Sequence, residues 1–315
     1  MRWCVSSLLF FLTLLIGCGG QPPETAAGGG QVRIVASIFP LADIAREVGG
    51  EDVEVTMLLP PGQSPHGYEP QPRQAEQLAR AHLLLIVGGG LDLWAERSAQ
   101  ASGNRRLRTL AMAKIVGHHG SQATHDHHSG DHEHTAHHGH AHSHAHDDPH
   151  LWLDPVLMRQ YVRALAKTLA ELDASRAADF ARRGQAYEEK LQALDEEYRA
   201  TLATVKRREF VSFHSAFAHL AARYGLKQAA VFDPDVAEFG PKRLEEVATF
   251  MKQHGIRTVF AEPQFPVEQL QSLARQAGAR VARLDPLGNP AVSGYNSYLN
   301  LMRSNLQLLA ESLQE

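Results

Sequence analysis

The chain has 315 residues, 43% of them hydrophobic, and a formal net charge of −4 with its histidines neutral. This length is enough for a large core or for two lobes, and the slightly negative charge offers no electrostatic footprint for a nucleic-acid partner. Only two cysteines occur, Cys4 and Cys18, so the chain beyond them can form neither an internal disulfide nor a thiolate metal site.

The first residues carry the marks of an export signal. Arg2 supplies a short positive region, and residues 8–16 form an apolar run too short to span a bilayer as a stable helix. Leu15-Ile16-Gly17-Cys18 resembles the lipobox of bacterial lipoproteins. That resemblance implies a signal peptide over residues 1–17, removed to leave Cys18 lipidated in a membrane; export without lipidation is the alternative. Residues 18–31 lead on as a tether, rich in Pro, Gly, Ala and Gln from Gln21.

Strand and helix patterns then alternate. Residues 32–38 (VRIVASI) form a β-branched apolar run expected as a buried strand. Pro40 with the periodic Leu41, Ile44, Ala45 and Val48 predicts a helix ended by Gly49-Gly50. A strand over 53–59, a helix over 72–81, a strand over 83–87 and a helix over 91–101 follow. Beyond a histidine-rich stretch, residues 155–172 predict a helix with proline at its start. Residues 175–205 have almost no helix breaker apart from Gly184; a continuous helix there would be about 45 Å long. The second half predicts strands over 209–213, 228–232, 257–261 and 280–284, with helices over 215–224, 241–254, 266–277 and 294–313. The expected fold is α/β with two lobes, 32–174 and 206–315. Each lobe holds a mostly parallel sheet of about four strands flanked by helices, and one long rigid helix, 175–205, joins them.

The histidine-rich stretch is the strongest compositional bias. Thirteen of nineteen histidines lie in it: His118, His119, His125, His127, His128, His132, His134, His137, His138, His140, His142, His144 and His146. Neutral imidazole suits zinc, copper and nickel, and so polar a tract cannot pack a core. Residues 117–147 are therefore expected as an auxiliary metal-collecting loop inserted in the first lobe; a solvated low-complexity linker is the alternative.

In open α/β sheets, ligands bind beyond the carboxyl ends of the strands. His66, His214, Glu262 and Asp285 each follow a predicted strand and so share that edge, and His150 precedes helix 155–172. Singly these are weak signals. A histidine after a strand is usually a cap or a surface group, Asp285 before Pro286 could begin a turn, and Asp154 before Pro155 could cap its helix. Jointly, three imidazoles and a carboxylate fit tetrahedral zinc.

These residues sit in longer motifs: Pro65-His66-Gly67-Tyr68-Glu69-Pro70, Asp148-Pro149-His150-Leu151-Trp152-Leu153-Asp154-Pro155, Phe213-His214-Ser215-Ala216-Phe217, Ala261-Glu262-Pro263-Gln264-Phe265 and Leu284-Asp285-Pro286-Leu287-Gly288. With them the chain, from Val32 to its end, resembles the solute-binding receptors of bacterial ABC transporters for zinc, manganese and iron. The resemblance implies His66 and His150 from the first lobe and His214 and Asp285 from the second as metal ligands. Glu262 would stand behind them and orient a histidine. Manganese-type members carry glutamate where this chain has His214, and zinc-type members carry a histidine-rich loop before the second ligand, so Zn²⁺ is the expected cargo. Copper would suit the nitrogen set as well. Pro65 stands where some zinc receptors have an acidic residue, so that auxiliary ligand is missing.

The implied protein is an extracytoplasmic, membrane-anchored receptor, periplasmic or at the cell surface. It would be a monomer that is not an enzyme and delivers Zn²⁺ to a membrane permease with its cytoplasmic ATPase. Alternatives are a manganese or iron receptor, a surface adhesin, and an exported zinc hydrolase. Against the hydrolase, no His-Glu-x-x-His helix occurs and Glu262 is the only evident base. His82, His219 and His254 are expected to be structural or solvated. Protonation of the ligand imidazoles would weaken binding below about pH 6.5.

Overall fold

The computed structural model describes residues 30–118, 148–232 and 240–315. The signal, the tether as far as residue 29, Cys18 and the histidines from His119 to His146 lie outside these residues. The elements are β1 (Val32–Ala36), α1 (Phe39–Gly49), β2 (Val53–Met57), α2 (Pro72–Arg80), β3 (Leu83–Ile86), α3 (Leu93–Ala101), β4 (Arg108–Ala111), α4 (Met112–Val116), α5 (Pro155–Leu172), α6 (Ala177–Ala203), β5 (Glu209–Ser212), α7 (Ala218–Arg223), β6 (Lys227–Ala230), α8 (Pro241–His254), β7 (Thr258–Ala261), α9 (Glu268–Ala277), β8 (Arg280–Arg283) and α10 (Tyr298–Gln314). None of these helices is long and apolar enough to cross a membrane.

The strands form two four-stranded sheets of identical plan, ordered β2-β1-β3-β4 and β6-β5-β7-β8, with every pairing parallel. The expected two-lobed α/β architecture is therefore present. β4 escaped the sequence reading. Its residues, Arg-Thr-Leu-Ala, begin with two exposed positions at the sheet's edge, so it carries neither a continuous apolar run nor a clean alternation. The predicted helix over 215–224 starts later, at Ala218, and the closing helix at Tyr298, because turns after β5 and β8 use up the intervening residues.

α6 has 27 residues, about 40 Å at the standard rise. It packs against α1, α5 and α10, which joins helices from both halves of the chain. One apolar core runs through the first sheet, α5, α6 and α10 and continues to Phe210 and Phe260 on one face of the second sheet. A smaller core on the opposite face holds Val211 and Val259 against Val247, Met251 and Leu270. Adjacent residues of β5 and β7 thus serve different cores, as the two-residue repeat of a strand requires.

Gly184, the one weak point of the predicted long helix, has a packing reason. A Cβ there would lie 2.7 Å from Ala166 Cβ, so glycine lets α6 approach α5. Gly184→Ala is expected to destabilise the protein by about 1–2 kcal/mol, because the clash outweighs the gain in helix propensity. The midpoint of urea unfolding measures this directly; an unchanged or higher midpoint would remove the packing explanation.

Candidate metal centre

The second sheet shows why two site residues meet. The chain runs from β5 outward to β6 and then crosses to β7 on the other side of β5, which opens a crevice between the carboxyl ends of β5 and β7. His214 follows β5 by two residues and Glu262 follows β7 directly. Glu262 Oε1 accepts from His214 Nδ1 at 2.5 Å and from the His214 backbone N at 3.1 Å.

The first lobe repeats the device with a different loop. Asp148 Oδ1 accepts from His150 Nδ1 at 2.5 Å and from its backbone N at 3.0 Å. In both histidines the Nδ1 proton is held by a buried carboxylate, so the Nε2 lone pair faces away from it. Burial alone would push the Asp148 carboxyl up, but the neighbouring His150 and His219 rings hold it below its ordinary value. His66 comes from the loop after β2, and Trp94 Nε1 holds that loop by donating to Pro65 O at 3.0 Å.

The three imidazoles converge. His150 Nε2 lies 3.1 Å from His66 Nε2 and 3.2 Å from His214 Nε2. One ligand atom from each residue can be chosen so that all lie within 4.8 Å of one another. Tetrahedral zinc with typical Zn–N bonds sets its nitrogens about 3.3 Å apart, so the spacing fits that ion. Trp152, Glu262, Gln264 and Phe265 line the same cleft.

Asp285 is not in this group of three. Its carboxylate is buried beside the cleft and bound to other partners. Oδ1 accepts from the backbone N of Leu287 and of Gly288, both at 3.0 Å, and Arg283 pairs with Oδ2 at 2.7 Å. It does begin the turn that the Asp-Pro pair allowed. The turn needs glycine at its end, since Gly288 has φ +77° and a Cβ there would meet Tyr295 O at 2.9 Å. Asp154 also follows its simpler reading: its side chain accepts from Val156 N and Leu157 N and caps α5. A second role was not visible in the sequence. Arg223 from the second lobe pairs with Asp154 Oδ2 at 2.7 Å.

Asp148 is the carboxylate on the His150 ring that sequence reasoning passed over, although it stands two residues before His150 in a quoted motif. Its signal was a carboxylate close enough to reach back to the ring. His219, expected to be structural, donates from Nε2 to the Asp148 carbonyl at 2.7 Å. His118 packs edge-on to His219 with ring centroids 5.6 Å apart.

Burial, reinforced by the His150 and His214 rings, pushes the His66 imidazole down from its usual value to about 3. The general expectation of proton competition below pH 6.5 therefore changes for this residue, which keeps its lone pair through mild acid. Of three imidazoles, at most two can exchange a proton for metal between pH 7 and pH 5. Log Kd for zinc plotted against pH is expected to slope no more steeply than about two over that range; a slope near three, measured by chelator competition, would contradict the burial argument. The same shift has a stability sign. The unfolded chain binds the His66 proton below about 6.5 and the folded chain does not until about 3. The unfolded state thus holds more protons in that window, and metal-free stability falls as pH drops through it.

A family model described as ZnuA, zinc-uptake complex component A, periplasmic, matches residues 34–312. The chain belongs to this family. It is 28% identical over 311 residues to the zinc-binding lipoprotein AdcA of Streptococcus pneumoniae serotype 4, covering 96% of this chain and 59% of AdcA. This chain thus spans only part of that relative. It is 27% identical over 308 residues to the high-affinity zinc uptake system protein ZnuA of Bacillus subtilis, covering 95% of this chain and 94% of that protein. Among solved structures, a zinc-bound deletion mutant of ZnuA shares the fold at a TM-score of 0.76 and 24% identity, with 90% of this chain and 99% of that one aligned.

Proposed function

We propose that this ZnuA-family protein captures Zn²⁺ outside the cytoplasmic membrane and delivers it to an ABC-type permease driven by a cytoplasmic ATPase. The observation that carries the reading is the convergence of His66, His150 and His214, with Nε2 atoms of adjacent rings 3.1 and 3.2 Å apart. Two of these rings are locked in the metal-binding tautomer by Asp148 and Glu262. Those three imidazoles and the Asp285 carboxylate are the ligands in this reading. Asp148 and Glu262 orient two of the imidazoles, Cys18 is the lipid anchor, and the histidine-rich stretch is an auxiliary metal collector. The protein works as a monomer.

Imidazole donors favour zinc over manganese, which prefers oxygen-rich shells with more ligands. A receptor role also suits Glu262 better than general-base chemistry, because its Oε1 is already committed to His214. Calorimetric competition on protein beginning at Gly19 and lacking residues 117–147 tests the proposal. One tight zinc site that manganese does not displace is expected. Preference for manganese, or no tight site without the loop, would overturn the selectivity reading or the auxiliary role of the loop respectively. Turnover of ester, amide or phosphoester substrates by the zinc-loaded protein would favour the hydrolase instead.

A further inference from the structure

The short helix α7 joins the two lobes close to where their histidines meet. It begins four residues after His214. Gln228 of β6 pins the turn between them to the second sheet. Its Nε2 donates to His214 O at 2.9 Å and to Ser212 Oγ at 2.6 Å, and its Oε1 accepts from Phe217 N at 3.1 Å. The far end of α7 is pinned to α6, where Tyr224 OH donates to Asp195 Oδ1 at 3.0 Å. α7 is therefore a fixed part of the frame that carries His214. Two of its residues, His219 and Arg223, stand four apart and so share one face. Both reach across to the segment that carries His150. His219 Nε2 donates to Asp148 O at 2.7 Å. Arg223 donates to Asp154 Oδ2 through Nε at 2.8 Å and through Nη2 at 2.7 Å.

These contacts bracket His150, because Asp148 precedes it and Asp154 follows it. The span between them is not free to bend. Leu151, Trp152 and Leu153 form one fully buried 3-10 turn, and α7 packs against it. Asp154 Oδ1 meanwhile caps α5, accepting from Val156 N at 2.8 Å. We propose that α7 is a strut that sets the gap between the metal nitrogens of the two lobes, with His219 and Arg223 as its positioning residues. His150 Nε2 and His214 Nε2 lie 3.2 Å apart, and zinc leaves as they part. Parting them stretches the contacts that α7 makes on both sides of His150. The strut therefore governs how long zinc stays more than how fast it arrives, since affinity differences among variants of one site fall mostly in the dissociation rate. The inference rests on the zinc-receptor reading above and adds to it two residues that do not line the cleft.

The test is the rate of Zn²⁺ release from the tightest site of the full chain, read by stopped-flow mixing with excess chelator, with the association rate measured beside it. His219→Leu and Arg223→Met are each expected to speed release about tenfold or more, the scale of losing a group that orients a metal ligand. Association is expected to change less than release. His219→Gln and Arg223→Lys keep a donor at each end of the bracket and are expected to return release towards the wild-type rate. Arg223→Met leaves the buried Asp154 carboxylate without its cation. Should it fold poorly, Arg223→Met/Asp154→Asn removes both charges, keeps an acceptor for the α5 cap and is expected to release zinc as fast. Gly184→Ala separates positioning from general loss of stability: it weakens the packing of α5 on α6 and is expected to release zinc at the wild-type rate. Wild-type release in both His219→Leu and Arg223→Met/Asp154→Asn overturns the proposal. Release in Gly184→Ala as fast as in the α7 variants overturns it as well. Failure of the wild-type chain to hold one tight zinc would instead refute the receptor reading beneath it.

Discussion

His150→Ala is expected to weaken zinc binding at the tightest site by about two orders of magnitude or more. A complete structural zinc site is worth roughly 10–16 kcal/mol, so one of three or four ligands carries about 3 kcal/mol or more. His150 is the central member of the cluster, because its Nε2 is the atom near both other imidazole nitrogens. Its loss leaves His66 and His214 without the ring that lies between them. The supporting carboxylates define a graded series. Asp148→Asn and Glu262→Gln each keep the shape of the side chain but remove the charge that fixes the Nδ1 proton, and each is expected to cost about 10–100-fold in affinity. Chelator competition on the three variants orders them; equal affinity of His150→Ala and wild type would remove the cleft from the zinc site altogether. Full affinity in both carboxylate variants would show that ring orientation comes from packing alone.

Trp152→Ala is expected to lower the stability of the metal-free protein by about 3–5 kcal/mol, the usual cost of deleting a buried aromatic side chain. Trp152 is fully buried in the core that both lobes share. It is also a cross-lobe tie. Its Nε1 donates to Pro286 O at 2.6 Å, and its backbone O accepts from Tyr298 OH at 2.7 Å. Removing the indole leaves a cavity next to His150, whose ring lies 5.2 Å from it. Stability measured by urea unfolding and zinc affinity should therefore fall together. A variant as stable as wild type would mean that the lobes are held by α6 and α10 alone. Trp152→Phe keeps most of the buried area and loses the hydrogen bond, so its smaller deficit isolates the contribution of the tie to Pro286.

The shared core also bears on motion. Tyr298 N donates to Asp43 Oδ2 at 2.8 Å, and Tyr198 OH donates to Met302 O at 2.6 Å. The amide of Tyr298 is one of the unpaired donors at the start of α10, and a carboxylate from α1 in the other lobe satisfies it. These contacts, with α6 packed along α1, α5 and α10, oppose wide separation of the lobes.

The periodic parts of the fold were legible in the sequence for a simple reason. Strands such as Leu83–Ile86, buried on both faces, need continuous apolar runs, and helices ended by Gly255 and Gly278 need a residue that accepts positive φ. Both requirements are local and leave a mark in adjacent residues. β4 left none, because an edge strand with exposed positions is stabilised by its neighbour β3 and not by its own pattern.

The site divides in the same way. The residue types after the strands, and the motifs around His66, His150 and His214, were set by the chain itself, since His66 and His214 follow strands and His150 precedes α5 whatever the lobes do. Only the tertiary structure decided which of them meet. His66 and His150 come together across 84 residues, and His150 and His214 across 64, distances at which no local pattern carries information. The hydrogen-bond partners of Asp285 divide likewise. Its partners Leu287 and Gly288 lie within the local turn, but the ion pair with Arg283 depends on a guanidinium seated on Tyr295. A sequence specifies that a carboxylate is present; which groups surround it is a matter of packing.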